Sequence, residues 1–164
     1  MGYSTSARLV FMANADLRLM VIRPIGRLPA TELLDQMFEK LAEVETPWHY
    51  DRAVDLRRFE GELTSFESDA LARRWKTLRG KNRSFAHVAL IRLDACRRLH
   101  EPGPLPGFPD ETLCRFTSYN EAYGWLTAGD RHHYLNQLAN SHSTRSTRQR
   151  PHPGAHRIDD LIDG

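Results

Sequence analysis

Two adjacent hydroxyls, Thr64 and Ser65, stand in "DLRRFEGELTSFESDAL", where a short apolar run gives way to a charged turn and then to helical spacing. Such a pair suits phosphate acceptance, nucleophilic catalysis or the capping of a helix start. A capping box sets Ser or Thr three residues before Glu or Gln, so that each side chain satisfies the other residue's amide. Thr64 and Glu67 have that spacing. Capping is the favoured reading, because hydroxyl caps are common at helix starts.

Arg57, Arg58 and Arg92, with Asp55 and Asp94 beside them, fall at predicted strand ends. Open α/β sheets place their ligands there, and arginines hold phosphate or carboxylate bidentately. These three form a candidate anion-binding rim. No glycine-rich turn accompanies them to cradle a phosphate, so surface ion pairs worth little each are the plainer expectation. His87 lies in an apolar run and, as a base, would need an orienting carboxylate and a nucleophile. Ser84 is the nearest serine, and His87 reads as a satisfied core or rim histidine. Cys96 and Cys114 have no identifiable base, which argues against a thiol nucleophile. Five of the eight histidines, at 132, 133, 142, 152 and 156, do not match structural zinc spacing. Neither a catalytic residue, a cofactor nor a metal ligand is expected.

The elements that position these residues follow from periodicity. A chain of 164 residues, 40% hydrophobic and 27% charged, suits one soluble globular domain. A net charge of +2 is too small to argue for nucleic acid. Two cysteines make no disulfide framework, no signal peptide is evident, and no apolar run approaches the roughly 18 residues of a membrane span. The reading is cytoplasmic.

Arg8–Met12 and Leu17–Ile22 read as a hairpin around Asn14-Ala15-Asp16. Thr31 is expected to cap a helix with the stripe Leu33, Leu34, Met37, Phe38, Leu41 and Val44. Arg52–Leu56 and Ala86–Ile91 read as interior strands. Between them the helix opened by Thr64 carries Leu71, Trp75 and Leu78 and ends at Gly80. Leu113–Phe116 reads as the last strand, running into a second capping box at Ser118–Glu121 and a helix with Ala122, Trp125 and Leu126 inward. Prolines 102, 104, 106 and 109 leave room for at most a short turn between Ile91 and Leu113. The alternation predicts an α/β fold: a mixed, mostly parallel sheet of about five strands, opened by a β-hairpin, with helices on one face.

Residues 1–129 are expected to form the domain, and 130–164 a polar, largely disordered C-terminal tail. The tail's arginines 145, 148, 150 and 157 lack interleaved aromatics for base stacking. Its end, "RIDDLIDG", sets Ile158, Leu161 and Ile162 at helical spacing, either a docking motif or a chance stripe.

"DLRLMVIRPIG", "RAVDLRRF", "AHVALI" and "CRFTSYNEAYGWL", in that order, resemble small bacterial STAS-like proteins, the SpoIIAA-like group sharing the fold of anti-sigma-factor antagonists. The closing strand and helix with Ala122, Trp125 and Leu126 carry the resemblance most specifically, then Val54–Arg57, and it spans roughly residues 7 to 129. It implies a mixed sheet with helices packed on one face and a non-enzymatic, protein-binding role. In phosphoswitch members an Asp-Ser-(Ser/Thr)-Gly segment opens the helix. Here Leu63, Thr64 and Phe66 stand at the places of the Asp, the phosphoacceptor and the Gly, so only a hydroxyl is kept.

The expected function is a non-enzymatic STAS-like interaction module with Arg57, Arg58, Phe59, Glu60, Thr64 and Ser65 as its contact surface. Its partner is a protein of unknown identity, a homodimer is compatible with this, and neither nucleic acid nor membrane is expected. The alternative is a small-molecule or lipid-binding domain, which requires an apolar cavity beneath the proline-rich segment 101–112. An enzyme is the third reading.

Overall fold

The structure, a computed structural model, describes residues 6–94 and 98–147. Arg8–Asn14 (β1) and Leu19–Ile25 (β2) pair antiparallel. The Asn14 side chain closes their turn by accepting from the Leu17 amide at 3.0 Å, as Asn does in tight turns. Asp51–Asp55 (β3) and His87–Ile91 (β4) extend the sheet in parallel from β2. Gly103–Leu105 (β5) and Phe108–Phe116 (β6) form a second hairpin, of which β6 pairs parallel with β4. The spatial order is β1-β2-β3-β4-β6-β5. The class is the α/β fold with a mixed, mostly parallel sheet that the alternation predicts, with six strands and an antiparallel hairpin at each edge.

Four helices cover the sheet: Ala30–Glu43 (α1), Ser65–Arg79 (α2), Tyr119–Thr127 (α3) and Arg131–Thr147 (α4). Along β2 the side chains alternate between faces. Met20 packs with Leu34, Phe38 and Leu41 of α1 and Trp75 of α2. Leu19 and Val21 pack with Ala122, Trp125 and Leu126 of α3 and Leu135 of α4. The helices therefore lie on both faces, not on one. The physical reason is the near-continuous apolar run of the parallel strands, which buries both sides of a sheet.

Three local expectations are corrected. The proline-rich stretch is not a loop: Pro104 sits on the edge strand β5, where a missing amide is tolerated. Gly107, at φ +79°, turns the hairpin, and a Cβ there would lie 2.8 Å from Ala72 Cβ of α2. The polar segment after Gly129 is helical to Thr147, with Leu135 buried and Tyr134 seated against Gly124 of α3. A largely disordered tail beginning at 130 is therefore corrected over that range. At α1 the cap position is Pro29, and no side chain caps it. Thr31 falls inside the first turn because proline's fixed φ starts the helix earlier. Cys96, Arg148, Arg150, Arg157, His152, His156 and the "RIDDLIDG" stripe lie outside the described residues.

Candidate functional site

Val54 and Leu90 belong to the two central strands, where both faces of a parallel sheet are ordinarily covered, yet both are only half-buried. They floor a cleft of about 200 Å³ between the sheet, α1 and α2. Its walls are Leu34, Met37 and Phe38 of α1, Leu71 and Trp75 of α2, and Leu105 and Phe108 of the proline-rich hairpin. The two helices are joined to one side by Arg74, which pairs with Asp35 at 2.6 Å and lies 4.6 Å from the centre of the Phe38 ring. Carbon lines the cleft almost throughout.

Arg52 brings a buried guanidinium into the wall of that cleft. One of its nitrogens, Nη2, donates to Glu111 of β6, and the other Glu111 oxygen accepts from the Trp75 indole at 3.0 Å. The guanidinium carbon stands 4.5 Å from the centre of the Trp75 ring. Burial pulls the Arg52 pKa below its ordinary value, against the carboxylate of Glu111. A second of its nitrogens, Nη1, is buried with no hydrogen-bond partner among the described residues. An unsatisfied buried donor costs on the order of 1–3 kcal/mol.

At the carboxyl ends of the parallel strands lies a second concavity, an open polar groove of about 680 Å³. Arg57 and Arg58 line it, as do Arg8 and Arg23. Asp55 holds the cluster: its carboxylate accepts from Arg23 Nε at 3.0 Å and from Arg57 Nε and Nη2 at 2.9 and 2.8 Å. Burial would raise the Asp55 pKa, but the Arg57 hydrogen bonds and the two positive charges outweigh it and hold it below the usual carboxylate range. Arg23 also lies 5.2 Å from the centre of the Tyr119 ring. Arg92 is not among these groups; it pairs with Asp94 at 2.9 Å, both exposed.

Phe59 and Glu60 are engaged by Gly26: Glu60 donates its amide to the Gly26 carbonyl at 3.0 Å, and Gly26 donates to Arg58 at 2.8 Å. Thr64 forms the capping box of α2, its amide donating to Glu67 at 2.9 Å and its hydroxyl to the same carboxylate. Ser65 is exposed beside it. Leu63, Glu67 and Ser68 of that turn line the apolar cleft, so Thr64 and Ser65 stand at its margin.

His87 has an orienting carboxylate, Asp51, which accepts from its amide at 2.7 Å and faces its Nδ1 at 3.5 Å. Burial would raise the Asp51 pKa; the His87 hydrogen bonds and Arg131, 2.6 Å away, hold it down. The Ser84 hydroxyl is buried and makes no hydrogen bond to any described residue, His87 included, so no serine–histidine dyad forms. Burial pushes the Cys114 thiol up to about 12, which keeps it protonated at neutral pH.

Sequence reasoning missed Arg8, Arg23, Arg52 and Glu111. The legible signal was a lone arginine opening the apolar run "RAVDL", since a charge in a buried strand must find a partner. No protein-family model, curated protein or solved structure matches this chain. No helix among the described residues is long and apolar enough to cross a membrane.

Proposed function

We propose that this chain is a STAS-like binding domain with no reaction of its own, and that it takes up a small apolar molecule between α1, α2 and the sheet. The observation that carries this reading is the apolar cleft of about 200 Å³, floored by strand residues that a packed sheet would cover. Cavities of about 150 Å³ lined by aliphatic and aromatic side chains admit benzene. The cleft suits a one- or two-ring skeleton or the end of an acyl chain. Arg52 in the cleft wall favours a ligand with one hydrogen-bond acceptor. Because Glu111 already balances the guanidinium, a neutral carbonyl or ether fits better than a second carboxylate.

The test is titration of the full chain with naphthalene and with 2-acetylnaphthalene, followed by nuclear magnetic resonance. Saturable shifts confined to Met37, Leu71, Leu90 and Trp75, abolished in Leu90→Trp, are expected. No saturable binding, or shifts confined to α3 and α4, would overturn the reading. Tighter binding of the ketone supports the role of Arg52. Equal binding keeps the cleft and removes that role.

A second reading, protein interaction through the turn at 57–65, is favoured by the exposure of two apolar side chains in it and directly after it. Leu63 is 42% and Phe66 70% exposed. Phe66→Glu, outside the cleft wall, would abolish a partner's binding under this reading and leave ligand uptake by the cleft in place.

A further inference from the structure

His100, Glu121 and His142 come from three separate places: the segment before β5, the first turn of α3 and the second half of α4. Each histidine turns its Nε2 toward the same carboxylate, His100 to Oε2 and His142 to Oε1, both at 3.2 Å. One ligand atom from each residue lies within 4.8 Å of the other two. Around a tetrahedral zinc ion with bonds of about 2.0–2.1 Å, ligand atoms stand roughly 3.3 Å apart. The nitrogen–oxygen separations already have that spacing.

Two further features single the cluster out. Glu121 holds the position of α3 from which a capping box returns its carboxylate to the Ser118 amide. Ser118 does accept from the Glu121 amide at 3.4 Å, but the carboxylate leaves the box and goes to the imidazoles. His100 has φ +60°, a left-handed conformation that costs a non-glycine residue energy and gathers at functional sites. Its amide holds it there by donating to the Arg115 carbonyl at 3.0 Å, and its ring lies 5.4 Å from that of His142.

We propose that His100, Glu121 and His142 form a binding site for a divalent transition-metal ion, with zinc the best fit. Two imidazoles and one carboxylate suit zinc and its first-row neighbours, whereas calcium and magnesium prefer oxygen donors alone. Three protein ligands leave a fourth position, and the half-exposed His142 side chain leaves it open to solvent. An ion there would fasten α4 to α3 and to the segment before β5. The site departs from the sequence expectation of no metal ligand, because its third member, His142, falls in the segment that reads as a polar tail.

The test is a zinc titration of the chelator-treated full chain against a competing chromophoric chelator, with thermal midpoints alongside. One ion per chain is expected, together with a zinc-dependent rise in the midpoint. His142→Ala, Glu121→Gln and His100→Asn should each weaken binding at least about tenfold, since changes outside the ligand set already cost about ten- to a hundredfold. Asn tolerates the left-handed backbone at position 100, which keeps that variant folded. Replacing His132, His133, His152 and His156 together should change nothing. Loss of binding in that fourfold variant with retention in the other three would overturn the site, as would the absence of saturable binding.

Discussion

On the α3–α4 face, Ala53, Ala89, Cys114 and Phe116 are 0% exposed and Trp125 is 1% exposed. On the α1–α2 face, Val54 and Leu90, the next residues along the same strands, remain half-buried over a cleft of about 200 Å³. The same two strands thus floor one close-packed layer and one that leaves space. Small side chains against the large Trp125 let α3 approach closely. The opposite layer holds large side chains of α1 and α2 and the Arg52–Glu111 pair against Trp75. A sheet arranged in this way is close-packed on one face and leaves a cleft on the other.

The largest effect should come from the close-packed face. Trp125→Ala removes a side chain packed 5.5 Å, ring to ring, from both Phe116 and His87. It should cost about 3–5 kcal/mol, read as a lowered denaturant midpoint at unchanged slope. A near-wild-type midpoint would mean that the layer under α3 is not the stability core. Leu135→Ala should follow at about 2–5 kcal/mol, because Leu135 is buried in the same layer. An unchanged midpoint there would return α4 to the status of a dispensable tail.

How much of this was legible depends on how local the cause is. The first hairpin, the α2 capping box, the interior strands and α3 each follow from a few adjacent residues, and they stand where the pattern puts them. α4 escaped because its apolar residues, Tyr134, Leu135 and Leu138, are too few for a clear stripe; it is held by what it touches, Gly124 and the core. The second hairpin escaped because its prolines read as breakers, though Pro104 lies on the edge strand β5, where a missing amide is tolerated. Which face of the sheet a helix covers is not encoded in its own period. Among site residues, Arg57 and Arg58 were visible at a strand end, while Arg23 joins them only through pairing of β2 with β3, and Arg8 through pairing of β1 with β2. His100 and His142 each lie 21 residues from Glu121, a spacing that no short motif contains.

A matched pair of enlargements sharpens the contrast between the faces. Ala89→Val adds two methyl groups to the close-packed layer and should cost about 1–3 kcal/mol by overpacking. Val54→Ile adds one methylene where space exists, so stability should change by less than about 1 kcal/mol. It should, however, weaken uptake of an apolar ligand. Equal destabilisation by the two variants would show that the cleft closes in solution, and the difference between the faces would disappear.

The smallest effect lies at the start of α2, and it discriminates most finely. The Thr64 hydroxyl and amide both meet the Glu67 carboxylate, and the same turn supplies Leu63 and Glu67 to the cleft wall. Thr64→Ala should therefore cost about 0.5–2 kcal/mol, and Thr64→Asp less, because aspartate caps as well as a hydroxyl does. The loss should be local. Hydrogen exchange should quicken in the first turn of α2 and stay unchanged in α3, with ligand affinity falling in the alanine variant alone. A phosphate-responsive switch would behave otherwise: Thr64→Asp would keep the fold and the exchange rates but release a protein partner, as a new anion does at an apolar contact. Partner loss in the aspartate variant alone, at unchanged stability, would move function from the cleft to the turn beside it. Exchange that quickens on both faces would instead show that the two layers unfold as one unit and cannot be assigned separate roles.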